Sequence, residues 1–144
     1  MFQRFLLAWD GSSVALRAFD VAIDLVRRYE GELVAVSIAY SPGHAETSAD
    51  REESTAAARH YLEESFTEVR DRADRAGVGV EHEIIRGDQP ARALLSYAHE
   101  HGFDLIICGQ HHSRRAGRLL LHGVAEDLVR AAVTPVLVVG EEAE

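Results

Sequence analysis

Residues 104–140 decide the fold, because DLIICG (104–109) is followed by a basic, histidine-containing stretch, by HGVAEDLVRAA (122–132) and by TPVLVVG (134–140). The pattern predicts a buried strand that ends in glycine, then a polar loop, a helix and a closing strand. In an open parallel sheet, this arrangement points backbone N–H groups at a phosphate. The segment therefore predicts a nucleotide-type pocket.

The rest of the chain alternates apolar strands with amphipathic helices, and its 144 residues suit one core. This β-α-β alternation predicts a single α/β domain over residues 1–144, with an open, five-stranded parallel sheet and helices on both faces. Before residue 104, strands are predicted at 2–9, 33–39 and 80–85, and the last of these is expected near a sheet edge. Helices are predicted from Ser12 or Ser13 to Gly31, over 53–76, and from Asp88 or Pro90 to Gly102. Residues 41–50 are predicted to form a loop.

Charge and composition exclude several classes of protein. The formal net charge of −9 disfavours binding to a nucleic-acid backbone. The first apolar stretch is interrupted by Asp10 and is too short for a signal peptide or a membrane-spanning helix, so we expect a cytoplasmic protein. The single cysteine, Cys108, lies in an apolar run and is predicted to be a core residue.

Polar residues after the first predicted strand are candidate ligand contacts, because ligands bind beyond the carboxyl ends of parallel strands. The Asp10 carboxylate can accept hydrogen bonds from a ribose or another diol. Its alternative role is a carboxylate favoured by the positive end of the next helix. Ser12 and Ser13 resemble a degenerate G-x-S-x-G nucleophile turn, but no aspartate and histidine are placed for a triad, so a helix cap is favoured.

The spacing of the histidines along the sequence does not indicate a metal site. Neither an H-x-x-x-H pair nor a cysteine partner supports a metal site, so none is predicted. Four histidines lie in predicted loops, His44, His111, His112 and His122, and the other four, at positions 60, 82, 99 and 101, are predicted to lie on the surface.

A local basic patch follows the fourth strand in this acidic chain. It consists of Arg114, Arg115 and Arg118. Arginines in such a position can hold phosphate oxygens by charge-assisted hydrogen bonds, and the alternative is a solvated loop.

Six segments together resemble the universal stress protein family over essentially the whole chain. The resemblance implies a Rossmann-like sheet of the adenine nucleotide alpha hydrolase type, with strand order 3-2-1-4-5, and usually a dimer. We expect the short C-terminal strand to pair with its copy, because alone it would leave a bare sheet edge. The segments are FLLAWDGSS (5–13), ELVAVSIA (32–39), RGDQPARALLSYA (86–98), DLIICG (104–109), LLLHGVAEDLV (119–129) and TPVLVV (134–139).

The ATP-binding members of that family carry a G-x-x-G-(nine residues)-G-[ST] loop. On this chain the four fixed positions fall on Gly109, His112, His122 and Gly123, so only the first is kept. The two imidazoles would crowd a phosphate, and Gly123 lacks the capping hydroxyl. The resemblance also implies that Asp10 contacts a ribose and that Val36 borders an adenine. The predicted ligand-binding residues are Ala8, Asp10, Gly11, Val36, Gly109, His112, Arg118, His122 and Gly123.

These features predict a stress-response protein with a regulatory or protective role and no dedicated catalysis. The degenerate loop predicts weak ATP binding, so no cofactor is assigned, and ATP or AMP are the candidates. One alternative is an ATP or AMP switch, or a receptor for another anion, that uses Arg118 and protonated His122 for phosphate. A slow nucleotide hydrolase ranks last, because it would need a positioned water and usually a metal.

Overall fold

The computed structural model describes residues 1–40, 48–111 and 123–141, with only the backbone described for residue 40 and residues 48–54. The strands are all parallel and lie in the order β3-β2-β1-β4-β5. The predicted α/β fold and its strand order are therefore confirmed. The elements are β1 (Arg4–Ala8), α1 (Ser13–Tyr29), β2 (Glu32–Tyr40), α2 (Ser48–Ser65), α3 (Thr67–Ala76), β3 (Val80–Gly87), α4 (Pro90–Glu100), β4 (Leu105–Gln110), α5 (Val124–Ala131) and β5 (Val136–Gly140).

The sheet has an apolar core on each face. Side chains alternate along β1, so that Phe5 and Leu7 pack with α1, α2 and α3, whereas Leu6 and Ala8 pack with α4 and α5. All four side chains are fully buried, as expected for the central strand of a parallel sheet. None of the described helices is both long enough and apolar enough to cross a membrane.

The helical segment before β3 differs from the prediction of one helix over residues 53–76. Two helices, α2 and α3, meet at Phe66, where the backbone N–H still donates to the Leu62 carbonyl at 3.2 Å. The Ser65 hydroxyl donates to the same carbonyl at 3.0 Å and so competes with the backbone ladder. Residues 48–50, predicted as the end of a loop, already belong to α2, and 41–47 lie outside the described residues.

The topology places a crevice at the carboxyl ends of β1 and β4. Within the sheet, β1 lies between β2 and β4, so the chain continues from β1 to a neighbour at one edge of this strand, and β4 pairs with its other edge. The connections therefore leave these two strands in opposite directions. Ligands of open α/β sheets bind at such a switch point.

Candidate functional site

A buried carboxylate lies at this switch point. Asp10 follows β1 and is only 2% exposed. Its Oδ1 atom accepts hydrogen bonds from the backbone N–H of Ser12 at 2.9 Å and from the Ser12 hydroxyl at 2.5 Å. Its Oδ2 atom lies 3.3 Å from His111 Nε2, which donates when that nitrogen carries the proton. The charge is thus held by partners from the start of α1 and the end of β4.

The role of Ser12 is that of a helix cap. Ser12 is the N-cap of α1, and its hydroxyl oxygen accepts from the Ala15 backbone N–H at 3.2 Å. The hydroxyl hydrogen is directed to the Asp10 carboxylate, and none of the described histidines contacts this hydroxyl. The predicted cap is confirmed. The Asp10 carboxylate also belongs to this helix start, as one of its two predicted roles required.

His111 connects the Asp10 carboxylate to the end of the last strand. Its Nδ1 atom lies 3.6 Å from Oε1 of Glu141, and the imidazole is 4% exposed. Glu141 directly follows Gly140, whose carbonyl accepts from Arg17 Nε at 3.0 Å. Sequence reasoning treated His111 as one of several loop histidines and did not consider Glu141. Only the predicted pairing of the fourth and fifth strands could have brought the two residues together.

Packing accounts for one glycine at the site, and left-handed backbone geometry accounts for another. A Cβ on Gly109 would lie 2.9 Å from the Val14 carbonyl oxygen, so this glycine lets β4 approach the first turn of α1. Gly11 has a φ of +84°, and a Cβ there would lie 2.7 Å from the Tyr61 hydroxyl. Close backbone approach and left-handed geometry explain both glycines without a phosphate.

Gly123 begins the last helix without a side-chain cap. Its φ of +78° lies in the left-handed region, and no side chain of the described residues caps α5. The sequence comparison treated Gly123 as a lost hydroxyl, but a serine in this backbone conformation would be strained. The other predicted loop residues, His112, Arg118 and His122, lie outside the described residues, as does the rest of the basic patch.

Ala8 and Val36 lie in the core and not in an open cleft. Ala8 is 0% exposed and Val36 is 1% exposed, and both pack in the cluster beneath α4 and α5. The Val36 carbonyl accepts from the Trp9 backbone N–H at 3.0 Å, which extends the sheet towards Asp10. Their predicted role in ligand binding stays a prediction.

One histidine predicted to lie on the surface is half-buried instead. His82 stacks on Phe66 with ring centroids 4.1 Å apart. The Ser37 hydroxyl donates to the Trp9 carbonyl at 2.7 Å, so His82 Nε2 must be the donor in its 2.8 Å contact with the Ser37 oxygen. Burial, with a smaller contribution from Arg70, lowers the pKa of His82 from 6.5 to about 4. His60, His99 and His101 are exposed, as predicted.

The described residues include neither an exposed thiol nor a cluster of side chains suited to a metal ion. Cys108 is buried, as predicted, and burial raises its thiol pKa to about 12. Within residues 1–40, 48–111 and 123–141, no group of three histidine, cysteine or acidic side chains is arranged to hold a metal ion.

Comparison with known proteins places the chain in a family. The model of the universal stress protein family matches residues 1–140. The chain belongs to the universal stress protein family. It is 33% identical over 142 residues to a universal stress protein relative from Staphylococcus haemolyticus, covering 98% of this chain and 86% of the relative.

Solved universal stress proteins share the fold. One from Burkholderia pseudomallei has 27% identity and a TM-score of 0.78, covering 96% of both chains. Another, solved in complex with cAMP, has 29% identity and a TM-score of 0.72, covering 96% of this chain and 97% of its own. Family and fold agree with the resemblance carried by the six sequence segments.

Proposed function

We propose that this universal stress protein is a non-catalytic, cytoplasmic regulatory module that binds a nucleoside or a nucleoside monophosphate. The Asp10 carboxylate would contact the sugar hydroxyls. The observation that carries the proposal is the burial of this carboxylate at the switch point of the sheet, where it is 2% exposed. A buried charge is costly, and a ligand with two hydroxyl donors would stabilise it.

The complex of a relative supports the choice of ligand class. The universal stress protein solved with cAMP is 29% identical to this chain over nearly its whole length. An adenine nucleoside or its monophosphate is therefore the first candidate ligand.

The described glycines give no support for a triphosphate site. Gly109, the one loop position kept from the ATP-binding pattern, is explained by its contact with Val14. Gly123 offers no hydroxyl at the start of α5. We therefore expect ATP to bind no more tightly than AMP.

The absence of catalysis is part of the proposal. The Ser12 hydroxyl caps α1 and donates to Asp10, so its oxygen is not activated by an imidazole base. We expect no hydrolysis of ATP or AMP above the rate of a matched Asp10→Asn variant.

Two measurements test the proposed ligand. Mass spectrometry of the molecules released by denaturing the purified protein should detect a nucleoside or its monophosphate. Calorimetry with adenosine, AMP and ATP should give dissociation constants that differ by less than about tenfold, because two extra charge-assisted hydrogen bonds would give roughly a hundredfold. Much tighter ATP binding would contradict the proposal and support the arginine patch, in which case Arg118→Ala should weaken ATP more than adenosine.

We also propose that two copies pair through β5. This strand is the end of the sheet next to β4, and β-edges of this kind associate readily. Near it, the side chains of Val129 and Val133 are 60% and 91% exposed. Light scattering should give a dimer for the natural protein and a monomer for Val133→Glu, while Ala57→Glu, on an exposed position of α2, should leave the dimer intact. A natural monomer at micromolar concentration would contradict this pairing.

A further inference from the structure

The two oxygens of the Asp10 carboxylate have partners of unequal strength. Oδ1 accepts two hydrogen bonds from Ser12, at 2.9 and 2.5 Å, and the same residue caps α1. Among the described residues, Oδ2 has one contact, which is longer, at 3.3 Å to the His111 imidazole. A ligand that replaced the Ser12 contacts to Oδ1 would disturb the N-terminal cap of α1. The Asp10 side chain is only 1% exposed, so a ligand that needs its carboxylate would have to displace a partner, and His111 is the partner whose loss leaves the helix cap intact.

We infer that His111 is an internal competitor of the ligand, which occupies the Asp10 oxygen that a sugar hydroxyl would use. The inference rests on the proposed function, since it assumes that Asp10 contacts the sugar. It assigns to His111 a role in setting affinity and specificity. Only a ligand that offers a donor to Oδ2 can replace the imidazole without leaving that buried oxygen without the partner it now has.

The Glu141 carboxylate lies beside the second nitrogen of the imidazole and holds the ring in this position when both ring nitrogens carry protons. The carboxylate of Glu141 lies 3.6 Å from Nδ1, whereas Asp10 lies next to Nε2. The neighbouring Gly140 carbonyl is tied to α1 through Arg17 Nε at 3.0 Å. The end of β5 thereby limits the directions in which His111 can turn. We expect loss of the Glu141 charge to loosen His111 and strengthen ligand binding.

The chain supplies a matched control for this pair. His60 Nε2 and Glu64 Oε1 are also 3.6 Å apart, but both side chains are 72% exposed on α2. The chain also supplies its own reporter, because Trp9 is the only tryptophan, precedes Asp10 and donates its indole N–H to Ser65. Ligand binding can thus be followed by tryptophan fluorescence as well as by calorimetry.

The experiment compares adenosine with 2′,3′-dideoxyadenosine, which lacks the diol, on the full-length variants. We expect His111→Ala to bind adenosine roughly tenfold more tightly than the natural protein, and Glu141→Gln to bind it about twofold to threefold more tightly. Dideoxyadenosine should bind all three proteins alike. His60→Ala and Glu64→Gln should leave both dissociation constants unchanged.

Distinct results overturn the inference and the proposed function. If Asp10→Asn loses adenosine binding but His111→Ala binds it equally or more weakly, the inference is wrong and the proposed function stands. Equal tightening for both nucleosides would indicate an enlarged cavity and would also overturn the inference. If Asp10→Asn binds adenosine like the natural protein, or if neither the natural protein nor any variant binds adenosine or AMP, both are wrong. Should His111→Ala not fold, unchanged adenosine binding by Glu141→Gln overturns the inference.

Discussion

Two neighbouring regions of the molecule contain histidines that are partly or largely removed from solvent and that have different partners. The aromatic region, formed by Trp9, Ser37, Phe66 and His82, lies beneath α2 and α3 and surrounds His82 with rings and a hydroxyl. The charged region, formed by Asp10, His111 and Glu141, places an imidazole between two carboxylates. Neutral partners make the first histidine a packing residue. In our proposal, charged partners make the second one exchangeable for a ligand.

This difference predicts that changes in the aromatic region alter stability, whereas changes in the charged region alter binding. The largest effect is expected for Phe66→Ala. Phe66 is fully buried between Trp9 and His82, and its truncation should lower the free energy of unfolding by about 3–5 kcal/mol. Urea denaturation measures this loss, and adenosine affinity at a temperature where the variant is folded should not change. A loss below about 1 kcal/mol would contradict the packing role.

A smaller effect is expected for Gly109→Ala. The added methyl group would lie 2.9 Å from the Val14 carbonyl oxygen, so we expect overpacking to cost about 1–3 kcal/mol of unfolding free energy. The control is Gly79→Ala, because a Cβ there meets nothing within 4 Å. Thermal unfolding should separate the two variants. Equal stability of both would mean that Gly109 is not needed for packing.

The smallest effect concerns pH. The folded pKa of His82, about 4, is below the ordinary value of 6.5, so the unfolded chain takes up a proton first as the pH falls. Stability due to this group is therefore present above pH 6.5 and is lost between pH 6.5 and 4. The difference between the two pKa values of His82 corresponds to about 3 kcal/mol of unfolding free energy. Partial exposure of the ring reduces this contribution to about 1–2 kcal/mol.

The variant His82→Gln isolates this contribution. Glutamine can donate to the Ser37 oxygen but does not titrate, so the difference in stability between the two proteins should change by about 1–2 kcal/mol between pH 6.5 and 4. Denaturation at several pH values gives this difference directly. A constant difference would mean that His82 does not remain neutral in the folded protein.

The fold could be predicted because its signals are local. Apolar runs such as residues 105–108 and 136–139 are read from the sequence without knowing their neighbours, and the family resemblance supplied the strand order. The break at Phe66 was missed because the apolar spacing of α2 and α3 continues across it, while the competing Ser65 hydroxyl bond depends on side-chain geometry.

The site was predicted less completely because its contacts join distant residues. Asp10 was identified from its place after a strand, and Ser12 from its preference for helix caps. The partners His111 and Glu141 are 101 and 131 positions from Asp10, and only strand order brings them together. His82 was misplaced because its alternating apolar and polar neighbours resemble a solvated edge strand, whereas α2 and α3 cover that face.

The most direct test of this account is the affinity of Asp10→Asn for adenosine, measured by calorimetry beside the natural protein. Asparagine keeps the shape of the side chain but removes the charge, so the two charge-assisted bonds to the sugar should weaken by roughly a hundredfold in total. Binding of 2′,3′-dideoxyadenosine, which cannot use the carboxylate, should be the same for both proteins. Equal adenosine affinities would contradict the claim that Asp10 recognises the ligand.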